Sequence, residues 1–136
     1  MSNKENHYQL RVYYEDTDAG GIVYYANYLK FFERARTEWL RQLGVNQSDF
    51  LERNLGFVVR KVEMDNIASA KLDDLLTVTS EILDLKRASL VFFQKVTNQN
   101  QQLLSTAKVR VACVNINLAK PCAIPEAILG AFKRVS

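Results

Sequence analysis

The chain has 136 residues, 48% of them hydrophobic and 24% charged, with a formal net charge of +3. That length makes one domain, and that apolar fraction buries a core, which excludes a disordered chain. Five glycines and two prolines exclude collagen-like and proline-rich architectures. No run of about 18 apolar residues is present to span a membrane. The mild positive charge suits a phosphate-bearing small molecule but falls short of the basic stripe of a nucleic-acid binder. Residues 1–6 are polar with no apolar run behind them, so a flexible N-terminus, no secretory signal and a cytoplasmic protein are expected. Cys113 and Cys122 are too few for a disulfide framework or a four-ligand zinc site and read as free thiols. His7 is the only histidine. Zinc hydrolases built on two histidines are therefore ruled out, and a Ser-His or Cys-His pair would need a base from the N-terminal segment.

Residues 8–14 (YQLRVYY) alternate, with Tyr8, Leu10, Val12 and Tyr14 on one side, which predicts a half-buried strand. An acidic, glycine-bearing loop follows from Glu15 to Gly21. From Asn27 to Leu43 the period becomes helical: Tyr28, Phe32, Ala35, Trp39 and Leu43 form a stripe that Phe31 and Leu40 widen. Gly44 supplies the stop. Phe31, Phe32 and Trp39 are expected in the core, and Arg34 and Glu38 are spaced for a surface ion pair. A short helix is expected over 47–53. Strands are expected near 57–66, 75–86, 89–97 and 103–116, with turns at 86–88 and 98–101 and a short helix at 126–134. Strand, long helix, then four antiparallel strands make a two-layer α+β domain with the helix across the concave face of the sheet. The free edges of such a sheet invite pairing with a second copy.

The stretch from Asp16 to Tyr28 (DTDAGGIVYYANY) joins an acidic turn, two glycines and a helix start. A helix start offers unpaired N–H groups and a positive dipole end that can hold a polarised carbonyl oxygen. A carboxylate beside it can attack that carbonyl or activate a water. Asp at a helix start equally serves as a cap. A calcium loop would need a carboxylate where Asn27 stands. Capping and catalysis both remain open on the pattern alone.

Residues 18–28 (DAGGIVYYANY) and 32–36 (FERAR) resemble the signature of the 4-hydroxybenzoyl-CoA thioesterase family, whose hotdog fold wraps a long helix in an antiparallel sheet. Residues 11–21, 32–38, 57–61, 70–75 and 89–92, with Lys120 and Pro121, resemble its YbgC group of acyl-CoA thioesterases, a group associated with the Tol–Pal system. The resemblance implies hydrolysis of an acyl-CoA thioester, short-chain aliphatic or aromatic, to a free acid and CoA. It implies Asp18 as nucleophile or general base and the backbone N–H of Tyr25 as the donor to the thioester carbonyl. Gly21, Tyr24, Val58, Val59, Arg60, Lys86, Arg87 and Ser89 are the implied substrate contacts, the cationic ones toward CoA phosphates. Many YbgC-type members carry His where this chain has Tyr25, and a phenol with a pKa near 10 is no base at neutral pH. No metal or redox cofactor is implied. The implied assembly is a homodimer with its sites at the subunit interface, paired further into a homotetramer. An acyl carrier protein is a possible partner; nucleic acid is not. The alternative is a non-catalytic hotdog module that binds acyl-CoA or acyl carrier protein. Glu33 is a weaker candidate carboxylate, read first as a solvated helix residue.

Overall fold

A computed structural model of the chain describes residues 4–136. The elements run β1 (Glu5–Arg11), a single 3-10 turn (Tyr14–Asp16), α1 (Asn27–Gln42), α2 (Gln47–Glu52), β2 (Leu55–Asn66), β3 (Leu75–Leu83), β4 (Ser89–Thr97), β5 (Leu103–Asn115), β6 (Lys120–Pro121) and α3 (Glu126–Arg134). The sheet is antiparallel, in the order β1-β3-β4-β5-β2, with the two-residue β6 added on β5. This is an α+β hotdog: one long helix against one curled sheet of five principal strands.

The helical stripe is the reason α1 sits there. Tyr28, Phe31, Phe32, Ala35, Trp39 and Leu40 are buried against the inward residues of the sheet, among them Leu76, Val78, Leu90, Phe92, Val109 and Val111. Each large apolar side chain buried this way stabilises the fold by roughly 1.5–3 kcal/mol. The rings of Trp39 and Phe92 meet edge to face at 6.1 Å, a preferred aromatic geometry. A buried polar chain fixes the helix on the sheet. Gln94 on β4 donates from Nε2 to the carbonyl of Phe32 (3.0 Å) and to Ser80 Oγ (2.9 Å), and Gln94 Oε1 accepts from Arg36 Nη1 (2.9 Å). Phe57 stacks on Phe50 (4.9 Å) and touches Phe132 (6.1 Å), so α2, β2 and α3 share a second aromatic cluster.

Several boundaries differ from the sequence reading. β1 begins at Glu5 and ends at Arg11, so Glu5 and Asn6 are strand residues and not part of a flexible terminus; residues 1–3 lie outside the described residues. The alternation beyond Arg11 is broken by the 3-10 turn, which turns Tyr14 outward to 83% exposure. β3 stops at Leu83 and not at residue 86, because Asp84 takes a left-handed conformation (φ 48°). Glu38 pairs with Arg41 and not with Arg34. β6 is an element the sequence reading lacks; two residues carry no period.

Candidate active site

The acidic loop is pinned at both ends. Asp16 is buried, and its Oδ2 accepts from the N–H of Tyr13 (2.9 Å). Asp16 Oδ1 accepts from Asn27 Nδ2 (3.1 Å), which ties the loop to the first residue of α1. On the far side, Thr17 bridges Val23 and Ile22 bridges Lys71. The N–H of Leu72 donates to Gly21 O (3.1 Å), and that of Val23 to Ala70 O (2.9 Å). Tyr28 closes the corner: its buried hydroxyl accepts from the N–H of Ala70 (2.9 Å), and burial raises its pKa above the ordinary phenol value.

Asp18 stands at the tip. Its N–H donates to Ile22 O (2.9 Å), and its carbonyl accepts from the N–H of Gly21 (3.1 Å). Its Oδ1 accepts from the N–H of Gly20 (2.8 Å). Oδ2 has no hydrogen-bond partner among the described residues, and the residue is exposed. Gly21 is the glycine this turn requires. Gly21 has φ +79°, a left-handed conformation that other L-residues adopt at a cost. A Cβ on Gly20 would sit 3.3 Å from Asp18 Oδ1. Capping is not the role of Asp18: α1 starts nine residues later, its N-cap is Ala26, and no side chain caps it.

The helix start has open donors. The N–H of Asn27 donates to Tyr24 O (2.8 Å), that of Tyr28 to Tyr25 O (3.2 Å), and that of Leu29 to Ala26 O (3.2 Å). The N–H groups of Tyr25 and Ala26 have no acceptor among the described residues. Side chains of Tyr24 and Tyr25 are 53% and 58% exposed, with ring centroids 5.0 Å apart. Asp18, Gly21, Tyr24 and Tyr25 therefore share one loop and one helix start.

The other sequence candidates gather elsewhere. Val58 pairs with Ala112, and Ala112 pairs with Ser89, so Val58 and Ser89 lie in one row across β2, β5 and β4. Arg60 is the extra residue of a bulge between Val59 and Lys61. Lys86 and Arg87 form the turn before Ser89: the N–H of Lys86 donates to Ser89 O (2.8 Å), and Arg87 O accepts from the N–H of Ile124 (2.8 Å). Lys86 Nζ lies 3.8 Å from Asp84. Within one chain this group is at the far end of β3 from the Asp18 loop, which packs beside the 70–74 segment that leads into Leu75. Nine residues of β3 correspond to about 30 Å. His7 is exposed on β1 opposite Thr79.

A cleft of about 280 Å³ opens between α1 and the sheet, beside β2. Leu90, Phe92, Val111 and Phe132 form its apolar walls, with Val59 at the strand edge and Glu33, Arg36 and Thr37 along α1. Val59 faces it, whereas Val58 points to the other side of the strand. The sequence reading did not single out Arg36. Its position on the flank of the apolar stripe was visible, but its partner Gln94 lies 58 residues away. Cys113 and Cys122 are free thiols with their sulfurs 3.4 Å apart, and burial, reinforced by Cys122, pushes the Cys113 thiol up to about 12. No helix among the described residues is long and apolar enough to cross a membrane.

A helix wrapped in an antiparallel sheet, with an acidic glycine turn feeding the helix start, is the hotdog architecture of thioesterases. The chain matches the thioesterase-like superfamily over residues 12–132 and belongs to it. It is 50% identical over 126 residues to a protein of Haemophilus influenzae named acyl-CoA thioesterase YbgC, covering 92% of each chain. It is 46% identical over 125 residues to the acyl-CoA thioester hydrolase YbgC of Escherichia coli O157:H7, covering 92% of this chain and 93% of that one. Among solved structures it resembles a probable thioesterase from Bartonella henselae, with a TM-score of 0.82 and 39% identity over 89% of this chain and 99% of that one.

Proposed function

We propose that the protein hydrolyses acyl-CoA thioesters, with Asp18 as the catalytic carboxylate. One observation carries this reading. The Asp18 carboxylate is exposed, with Oδ2 unpartnered among the described residues, on a loop pinned to a helix start where the N–H groups of Tyr25 and Ala26 have no acceptor among those residues. Open N–H donors at a positive dipole end suit the oxyanion that forms when a thioester carbonyl is attacked. Neither role needs the side chain of Tyr25.

Asp18 acts in one of two ways. As general base it takes a proton from water; hydroxide adds to the carbonyl, the thiolate leaves, and the proton passes to sulfur. As nucleophile its oxygen adds, the thiolate leaves with a solvent proton, and water cleaves the mixed anhydride. Single turnover in isotopically labelled water separates the two. Label in Asp18, or a hydroxylamine-trapped Asp18 anhydride, marks the nucleophilic route; label confined to the product acid with no trapped anhydride marks the general-base route.

The CoA phosphates are assigned to Arg60, Lys86 and Arg87, and the acyl group to a short aliphatic or aromatic class. Their separation from Asp18 in one chain supports a site completed by a second copy, in a homodimer. The long edge strand β2, with Val58, Val59 and Val62 exposed at 40%, 49% and 39%, supplies a surface for that pairing. The test is complementation. Asp18→Asn and a double Lys86→Ala, Arg87→Ala variant are each assayed alone, then co-refolded. Recovery toward one quarter of wild-type activity is expected from mixed dimers that keep one intact site. No turnover by the wild type on any CoA thioester, with acyl-CoA still bound, would replace the enzyme by a binding module.

A further inference from the structure

The cleft under α1 holds a charge that the chemistry above does not use. Arg36 lines it and is only partly exposed. Its one side-chain hydrogen bond among the described residues runs from Nη1 to the neutral Oε1 of Gln94 (2.9 Å), whose amide nitrogen is already engaged by Phe32 and Ser80. Among the described residues no carboxylate forms an ion pair with it. Glu33 lies on the same cleft and favours the charged guanidinium from a distance. Burial lowers the Arg36 pKa to about 10, which leaves it cationic at neutral pH.

Its remaining donors are accessible. Among the described residues, the one fully buried side-chain polar atom without a partner is Asn6 Nδ2. Nε and Nη2 of Arg36 have no hydrogen bond among the described residues, so they are not fully buried, and Arg36 lines the cleft. A cation between apolar walls is normally paired, because its attraction to an anion is poorly screened there. This chain offers it a neutral amide. The open fork of the guanidinium matches the two oxygens of a carboxylate.

We propose that the cleft receives the far end of the acyl group and that Arg36 is a specificity-determining residue which pairs there with a carboxylate. The preferred substrates are then CoA monothioesters of dicarboxylic acids. This inference rests on the thioesterase reading and names its substrate class. Glu33 tempers the preference by repelling the same carboxylate.

The test compares chains of equal length with and without a terminal carboxylate: adipoyl-CoA against hexanoyl-CoA, and suberoyl-CoA against octanoyl-CoA. The wild type is expected to favour the carboxylated member of a pair by about tenfold or more in kcat/KM. Arg36→Met is expected to erase that ratio through KM, leaving the plain acyl member within about threefold of wild type. Arg36→Lys keeps part of the ratio, and Glu33→Gln raises it. A residue that merely braces Gln94 would lower both members together and leave the ratio unmoved. If Arg36→Met does not fold, the lysine and Glu33→Gln variants read the same ratio. A wild type that hydrolyses hexanoyl-CoA as well as adipoyl-CoA, or a ratio untouched in every variant, overturns this inference and leaves the thioesterase reading standing. Absence of turnover on all four, with turnover on another short aliphatic or aromatic CoA thioester, overturns this inference alone; absence on every CoA thioester overturns that reading itself.

Discussion

Asp16 and Asp18 lie two residues apart, and the structure assigns them different work. Asp16 is the buried one, and its carboxylate holds the N–H of Tyr13 at 2.9 Å and Asn27 Nδ2 at 3.1 Å. Asp16→Ala leaves the Tyr13 N–H without its acceptor and Asn27 Nδ2 with only the Asp16 backbone carbonyl at 3.3 Å. A hydrogen bond to a charged group contributes about 1.5–3 kcal/mol, and water can replace part of each at this depth, so the expected loss is about 2–4 kcal/mol. Asp16→Asn is milder. Its Oδ1 can keep Tyr13 while its amide meets a flipped Asn27 side chain, for an expected loss of about 1 kcal/mol. Because the two bonds set where Asp18 stands relative to the start of α1, Asp16→Ala also lowers kcat by about 10²-fold, as displacements near 1 Å do. Urea unfolding and acyl-CoA hydrolysis on the same preparations measure both effects. If Asp16→Ala kept full stability and full turnover, the loop would not be held as described. If it lost activity as completely as Asp18→Asn while remaining stable, the division of roles between the two carboxylates would be wrong.

Gly21→Ala imposes a side chain at φ +79° and is expected to cost about 1 kcal/mol in thermal or urea unfolding and to reduce turnover, since it distorts the turn that carries Asp18. Gln94→Leu strips the partner from Arg36, Phe32 O and Ser80 Oγ in the interior; a loss of about 2–4 kcal/mol is expected by the same unfolding assay. Cys113, buried and beside Cys122, has its thiol pKa raised from 9.0 to about 12. The unfolded chain therefore releases that proton first as pH rises. Its contribution to stability is complete below about pH 9 and is lost between about 9 and 12, in the same direction as that of Tyr28. Urea midpoints from pH 7 to 10.5 should fall, and Cys113→Ala should flatten that fall. Alkylation of the native protein near pH 8 should mark Cys122 well before Cys113.

The parts of the fold that were legible are those where a period of burial runs uninterrupted or turns bound a strand. The α1 stripe from Tyr28 to Leu40 fills one helix face, and β4, whose alternation is broken by the buried run Leu90–Phe92, keeps its expected bounds because turns flank it at 86–88 and 98–101. Boundaries set by a single backbone conformation were not legible: Asp84 can take φ 48° or remain extended, and composition does not choose. Tyr14 has the alternation of a strand but lies in a turn, because the buried Asp16 carboxylate pulls the Tyr13 N–H back on itself. The loop carrying Asp18 could be found as a unit, but its competing roles could not be separated. The capping role disappears once α1 is seen to start at Asn27, with its first carbonyl partners set by Tyr24, Tyr25 and Ala26. Arg36 shows the opposite case. Its place on the helix was visible, and its chemistry depends on Gln94, which only the folded sheet brings near.

The most direct test is hydrolysis of an acyl-CoA panel by wild type and Asp18→Asn, with thiol release and acyl-CoA binding measured side by side. The account expects turnover to fall by about 10³-fold in the variant, within the range that a positioned acid or base contributes, while binding changes by no more than a few-fold. Turnover equal to wild type in Asp18→Asn would contradict it, and would leave the exposed carboxylate at the tip of the loop without the role assigned to it.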